Sequence, residues 1–139
     1  MEVTEIPFVK HIGIEQEGSQ LALSSSYELG NHIGTIHASA QFALAETQSG
    51  LFLQEEFSDI EGEVLPLLRS STVKYKSPAT TKLKAVAIVS NEVKEKFKEQ
   101  FLKRGRATIA VEVKLLDSAD VITMVGEFVW FVQRLNIKK

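Results

Sequence analysis

The sequence predicts an α+β fold in which a curved antiparallel sheet of about five strands wraps around one long central helix. Three observations carry that expectation. From Ala38 to Leu53 small and apolar residues occupy nearly every side of a helical wheel, and Glu46 is the sole charge, so this helix is covered all round. From Leu67 onward the apolar period shortens from that of a helix to that of a strand. The last strand is apolar on both faces, which puts it in the middle of the sheet or under another subunit. A helix lying flat on an open sheet would keep one face wet, and the uncharged wheel argues against it.

The 139 residues, 44% hydrophobic, describe a single domain, 1–139, with a real core. The opening residues carry Glu2, Glu5, Lys10, Glu15 and Glu17 without an apolar run of secretory length. No segment approaches the roughly 20 apolar residues of a membrane span, so a cytoplasmic location is expected. The absence of cysteine excludes disulfides, thiolate metal sites and a cysteine nucleophile.

Taken in order, residues 5–14 read as a short helical turn that lids the core, with Pro7 at its first position and Gly13 closing it. Gln20 to Glu28 alternates as a half-covered strand. The core helix follows Gly34, and the acidic stretch Gln54 to Glu63 reads as a solvated loop. Arg69 to Ser77 and Thr81 to Ser90 read as strands, with a turn at Pro78 making them antiparallel neighbours. Ser90 or Asn91 caps a second helix, Glu92 to Lys103, with the stripe Val93, Phe97, Phe101 and Leu102 and the supporting pairs Glu92–Lys96 and Glu99–Lys103. Gly105 ends it. Arg106 to Leu116 and Val121 to Leu135 are two long strands joined by a turn over Asp117 to Asp120.

Glu46 sits among Phe42, Ala43, Ser49, Gly50 and Leu53 at helical spacing, so its carboxylate is short of water and of any basic partner. Either it bonds a backbone group or reaches a surface, or it has a chemical task. At the other end of the helix the free N–H groups of Ala38, Ser39 and Ala40 suit a negative oxygen. The two ends of Ala38 to Glu46 lie roughly 12 Å apart. If both act on one small group, they must come from two chains packed about a two-fold axis.

Asn31, Gly34, Thr35 and His37, followed nine positions on by Glu46 in Phe-Ala-Leu-Ala-Glu, resemble the signature of hotdog-fold acyl-CoA thioesterases, especially the phenylacetate-pathway type. The resemblance implies a hotdog fold and hydrolysis of an acyl-CoA by a homodimer, and the sequence leaves open whether dimers pair into a homotetramer. It implies that Asn31 and His37 help hold the thioester and that the N–H of Ala38 receives its oxygen. Glu46 would be the nucleophile or general base. The family usually has His-Gly-Gly where this chain has His37-Ala38-Ser39, and its second polar residue, one turn beyond the acid, corresponds to Ser49 or Gly50. His37 either orients the thioester sulfur or only shapes the turn.

Charge is lopsided. Residues 1–68 hold 1 basic and 11 acidic residues, net −10, and residues 69–139 hold 15 and 7, net +8. The halves either neutralise each other or the second supplies cations for coenzyme A phosphates, for which Lys74, Lys76, Lys82, Arg104 and Arg106 are candidates. No aromatic residues interleave with the basic ones, which argues against nucleic acid. His11 and His32 have no supporting context, and no motif asks for a metal or cofactor. Two other functions compete: an acyl dehydratase, disfavoured by the His-to-acid spacing, and a non-catalytic acyl or coenzyme A binding module, favoured by the Ala38-Ser39 departure.

Overall fold

The computed structural model describes residues 1–60 and 63–135. Its chain order is α1 (Pro7–Ile12), β1 (Glu15–Glu17), β2 (Gln20–Leu23), α2 (Ala38–Glu56), β3 (Val64–Tyr75), β4 (Leu83–Ile88), α3 (Asn91–Arg104), β5 (Arg106–Leu116) and β6 (Ile122–Arg134). One six-stranded sheet, in the order β1-β2-β4-β5-β6-β3 and antiparallel throughout, curls around α2. The sixth strand, beyond the five expected, is β1, a three-residue edge hairpinned onto β2 through Gly18 at φ +68°.

Helix α2 runs 19 residues and has no polar face. Its buried residues include Gln41, Thr47, Gln48 and Ser49 as well as Leu44, Ala45 and Leu51. The polar ones are bonded: Thr123 donates to Gln41 at 3.0 Å, Trp130 Nε1 donates to Ser49 Oγ at 2.8 Å, and Leu21 N donates to Gln48 Oε1 at 2.7 Å. A buried amide left unpaired costs about 1–3 kcal/mol, so these contacts fix how the helix sits on the sheet. The wrapping is incomplete on one stripe, where Ser39 is exposed and Phe42, Glu46 and Gly50 are half-buried.

Helix α3 leaves the sheet between β4 and β5, capped by Ser90 and closed by Gly105 at φ +74°. Its Phe97 and Phe101 are buried, with Phe97 4.5 Å from the ring of Phe57 at the end of α2. Val93 and Leu102 of the expected stripe stay exposed. Its lysines pair outside their own helix, Lys94 with Glu56 at 3.4 Å and Lys98 with Asp59 at 3.3 Å, and not in the expected i,i+4 register. Four of the five ion pairs among the described residues join an acid before residue 69 to a base after it, so much of the lopsided charge is neutralised internally.

Three expectations need correction. Strand β2 stops at Leu23, where Leu21, Ala22 and Leu23 are all buried. Ser24 to Ser26 bring nothing to bury, and Tyr27–Leu29 forms a single 3₁₀ turn. The acidic stretch from Gln54 begins as helix, since α2 extends to Glu56; Glu61 and Gly62 lie outside the described residues. Finally, β3 and β4 are not neighbours. Ala79 is fully buried and its carbonyl accepts from Ile36 N at 2.8 Å, so residues 76–82 cross the end of the sheet instead of turning back. β3 pairs with β6 at the far edge. The hairpin over Asp117 to Asp120 matches its expectation. β6 is paired on both sides, by β5 and β3, but lies one strand in from the edge and not in the middle of the sheet.

Candidate active site

The chain enters α2 through a loop built by Asn31. Its Oδ1 accepts from Ile33 N at 3.1 Å and Thr35 N at 2.9 Å, and its Nδ2 donates to Thr35 Oγ1 at 2.8 Å. Gly34 takes φ +79°, a conformation that suits glycine. Asn31 and Gly34 thus set the direction in which the helix starts, and the Asn31 carboxamide is largely committed to its own loop.

His37 is the N-cap of α2, its Nδ1 accepting from Ser39 N at 2.9 Å. That bond assigns the ring proton to Nε2. With Ser39 N–H taken by His37 and the Ala40 and Gln41 amides turned to the His37 carbonyl, the N–H of Ala38 is the first-turn donor with no partner among the described residues. Tyr75, at the end of β3, donates its hydroxyl to Ala38 O at 3.2 Å, and desolvation raises its pKa. The sequence pattern does not single out Tyr75, because only the tertiary fold carries the end of β3 to this turn. Lys74 and Lys76 flank it.

Glu46 lies two turns further along, half-buried, its carboxylate with no hydrogen-bond or ion-pair partner among the described residues. Burial alone raises its carboxyl above the ordinary range. It opens on a cavity of about 690 Å³, within the size range of small-molecule pockets. The walls are mostly apolar and come from four separate places: Ile6, Phe8 and Val9 of the N-terminal lid, Leu53 of α2 with Phe57 just after it, Phe97 of α3, and Trp130 of β6 with Val64 to Pro66 of β3. The opening turn therefore serves as expected, as a lid, and forms a wall of this cavity.

Ser49 does not reach it. Its hydroxyl is fully buried, donating to the Glu46 carbonyl at 2.6 Å and accepting from Trp130, so it anchors the helix. Gly50 is the residue that lines the cavity one turn beyond the acid. A glycine within a helix costs about 1 kcal/mol relative to alanine.

The basic candidates divide. Lys82 is ion-paired with Glu17, which holds the Glu17 carboxyl below and the Lys82 ammonium above their ordinary values. Lys74 and Lys76 stand at the Ala38 end of the sheet. Arg104 and Arg106 flank Gly105 at the opposite end, near β3's first residues, since Arg106 is opposite Gln133 and Val64 opposite Arg134. Among the described residues no three metal-ligating side chains converge, and no helix is long and apolar enough to cross a membrane.

A curved antiparallel sheet closed around a central helix, with a capped helix start and an isolated acid on that helix, defines a hotdog-fold protein. Within that class the chain belongs to the family described as domain of unknown function DUF4442, whose model matches residues 5–132. Among solved structures it is similar to a Pseudomonas aeruginosa protein of unknown function called a probable thioesterase, with a TM-score of 0.79 and 21% identity over 94% of this chain and 90% of that one. A Chlorobaculum tepidum protein of unknown function gives 0.76 and 20% over 94% and 88%. A Bacillus halodurans protein solved with CoA gives 0.70 and 20% over 90% and 74%. A search of curated proteins finds no match.

Proposed function

We propose that this protein hydrolyses an acyl-CoA thioester to the free acid and coenzyme A, at a site shared between two copies of the chain. The observation that carries the reading is Glu46, a half-buried acid with no partner among the described residues, at the mouth of an apolar cavity. The helix that bears it begins with the open amide of Ala38.

The placement of β3 supports the sharing. Its first residues, Val64 to Pro66, border the Glu46 cavity, and its last, Tyr75, touches Ala38. This strand is an outer edge of the sheet, 12 residues long, with Val64, Leu65, Leu67 and Tyr75 exposed. Such an edge invites another strand. Antiparallel pairing of β3 with its own copy about a two-fold axis exchanges the ends, setting Ala38 of one copy toward Glu46 of the other. The same exchange carries Lys74 and Lys76 of one copy toward the sheet end with Arg104 and Arg106 of the other, a basic surroundings for nucleotide phosphates. The structural relatives called a probable thioesterase and solved with CoA lend support. A homodimer in the cytoplasm, free to pair into a tetramer, is the working assembly.

In this mechanism the thioester oxygen rests on Ala38 N–H, with His37 Nε2–H facing the thioester. Glu46 of the second copy takes a proton from water as the hydroxide adds to the carbonyl carbon. Collapse breaks the C–S bond, and the thiolate leaves and is protonated as coenzyme A. Direct attack by the carboxylate would give an anhydride that water then opens.

Ala38→Pro isolates the amide, because proline is favoured at a first helical position and only the N–H is lost. Ala38→Pro and Glu46→Gln should each fold and each lose about 10²–10³ in turnover. Unfolded and refolded together, they should recover about a quarter of wild-type activity, since half the dimers are mixed and each mixed dimer has one intact site. Full activity in either variant alone sinks the reading, and no recovery on mixing sinks the sharing. A binding module without turnover is the second reading, favoured by Ala38 and Ser39 and by the His37 bond to Ser39 N–H.

A further inference from the structure

We propose that the cavity beside Glu46 takes an extended, uncharged acyl chain, and that Gly50 keeps its entrance open; this rests on the hydrolytic reading above. The volume of about 690 Å³ far exceeds the needs of an acetyl group. Among the described residues its walls carry one side-chain carboxylate, Glu46, and no lysine, arginine or histidine, so no basic side chain among them would hold an acidic or phosphorylated acyl end. The far side is the N-terminal lid, tied to α2 where Gln54 Nε2 donates to Met1 O.

Gly50 supplies the independent observation. It is not among the positive-φ glycines, and a Cβ built on it would meet only the ring of Trp130, at 3.5 and 3.7 Å, which is ordinary contact. Neither backbone strain nor close packing requires a glycine, and helix propensity opposes one. What a side chain would take away is room, between Glu46 and Trp130, at the point where a chain leaving the thioester carbonyl must pass.

Trp130 is the chain's single tryptophan and lines this cavity, so its fluorescence reads occupancy without turnover. Wild-type protein is titrated with butyrate and octanoate, and kcat/KM is measured for acetyl-, butyryl-, hexanoyl- and octanoyl-CoA. We expect kcat/KM to rise about fourfold per methylene, and octanoate to saturate the fluorescence change about 200-fold below butyrate. Gly50→Leu should abolish the octanoate response and collapse the octanoyl-to-acetyl ratio. Gly50→Ala should lower that ratio while raising Tm by about 4 °C, opposite signs that a purely structural glycine would not give. A flat chain-length profile with real turnover, or variants that leave ratio and fluorescence untouched, overturns the proposal and spares hydrolysis. Chain-length-dependent fluorescence lost in Gly50→Leu, with no thioester cleaved, keeps the acyl site and overturns hydrolysis.

Discussion

The two edges of the sheet are built to opposite specifications. Strand β1 has three residues, Glu15, Gln16 and Glu17, all exposed, and it ends the sheet with charge. Strand β3 has 12 residues, and exposed Val64, Leu65 and Leu67 run along it. Short, charged edges resist further pairing, whereas long apolar ones attract it. The carboxylates near the two edges differ in the same sense. Glu17 is exposed and its pKa is lowered by its hydrogen bond with Lys82; Glu46, in the cavity that β3 borders, has its pKa raised by burial. One side of the molecule ends in a short, charged strand, and the other in a long edge with apolar residues exposed.

The most direct way to break this contrast is to charge the apolar edge. Leu67→Glu, at a position 46% exposed, should leave the fold intact but loosen the proposed dimer at least about 100-fold, read as a halved mass in light scattering with parallel loss of the proposed thioester cleavage. An unchanged mass would show that β3 does not carry the pairing.

A second experiment sharpens the contrast between the acids. Because the folded pKa of Glu46 is raised, its contribution to stability is greatest below the unfolded value and is lost as pH rises through the folded one. Glu46→Gln should therefore raise Tm at neutral pH while lowering turnover by about 10²–10³. The acid limb of wild-type kcat/KM should fall above the ordinary carboxylate range. Glu17 has the opposite sign, contributing above its unfolded pKa and losing this as pH falls through the folded one. A carboxyl-carbon titration by NMR checks both directions.

The smallest effect is expected at β1. Glu17→Gln removes two exposed ion pairs, with Lys82 and Lys84, that salt already screens, and should leave mass, turnover and Tm at 0.15 M salt unchanged. A loss of turnover there would draw Lys82 back toward the ligand and weaken the distinction between the edges.

What the sequence alone determined was whatever local period and capping encode. The uncharged wheel from Ala38 to Leu53 marked the core helix, Ser90 and Gly105 bounded α3, and strict alternation from Ala107 to Leu115 faced β5 correctly. The odd position of Glu46 was also visible, because an acid without a basic neighbour at helical spacing stands out in a row of apolar residues. Only the tertiary structure decided which strand β3 joins, since Pro78 reads as a turn whether the chain folds back or crosses the sheet end. It also decided that Ser49 faces Trp130 while Gly50 faces the cavity, and that Tyr75 meets Ala38. Those outcomes depend on contacts between residues far apart in the chain, and short-range periodicity carries no information about them.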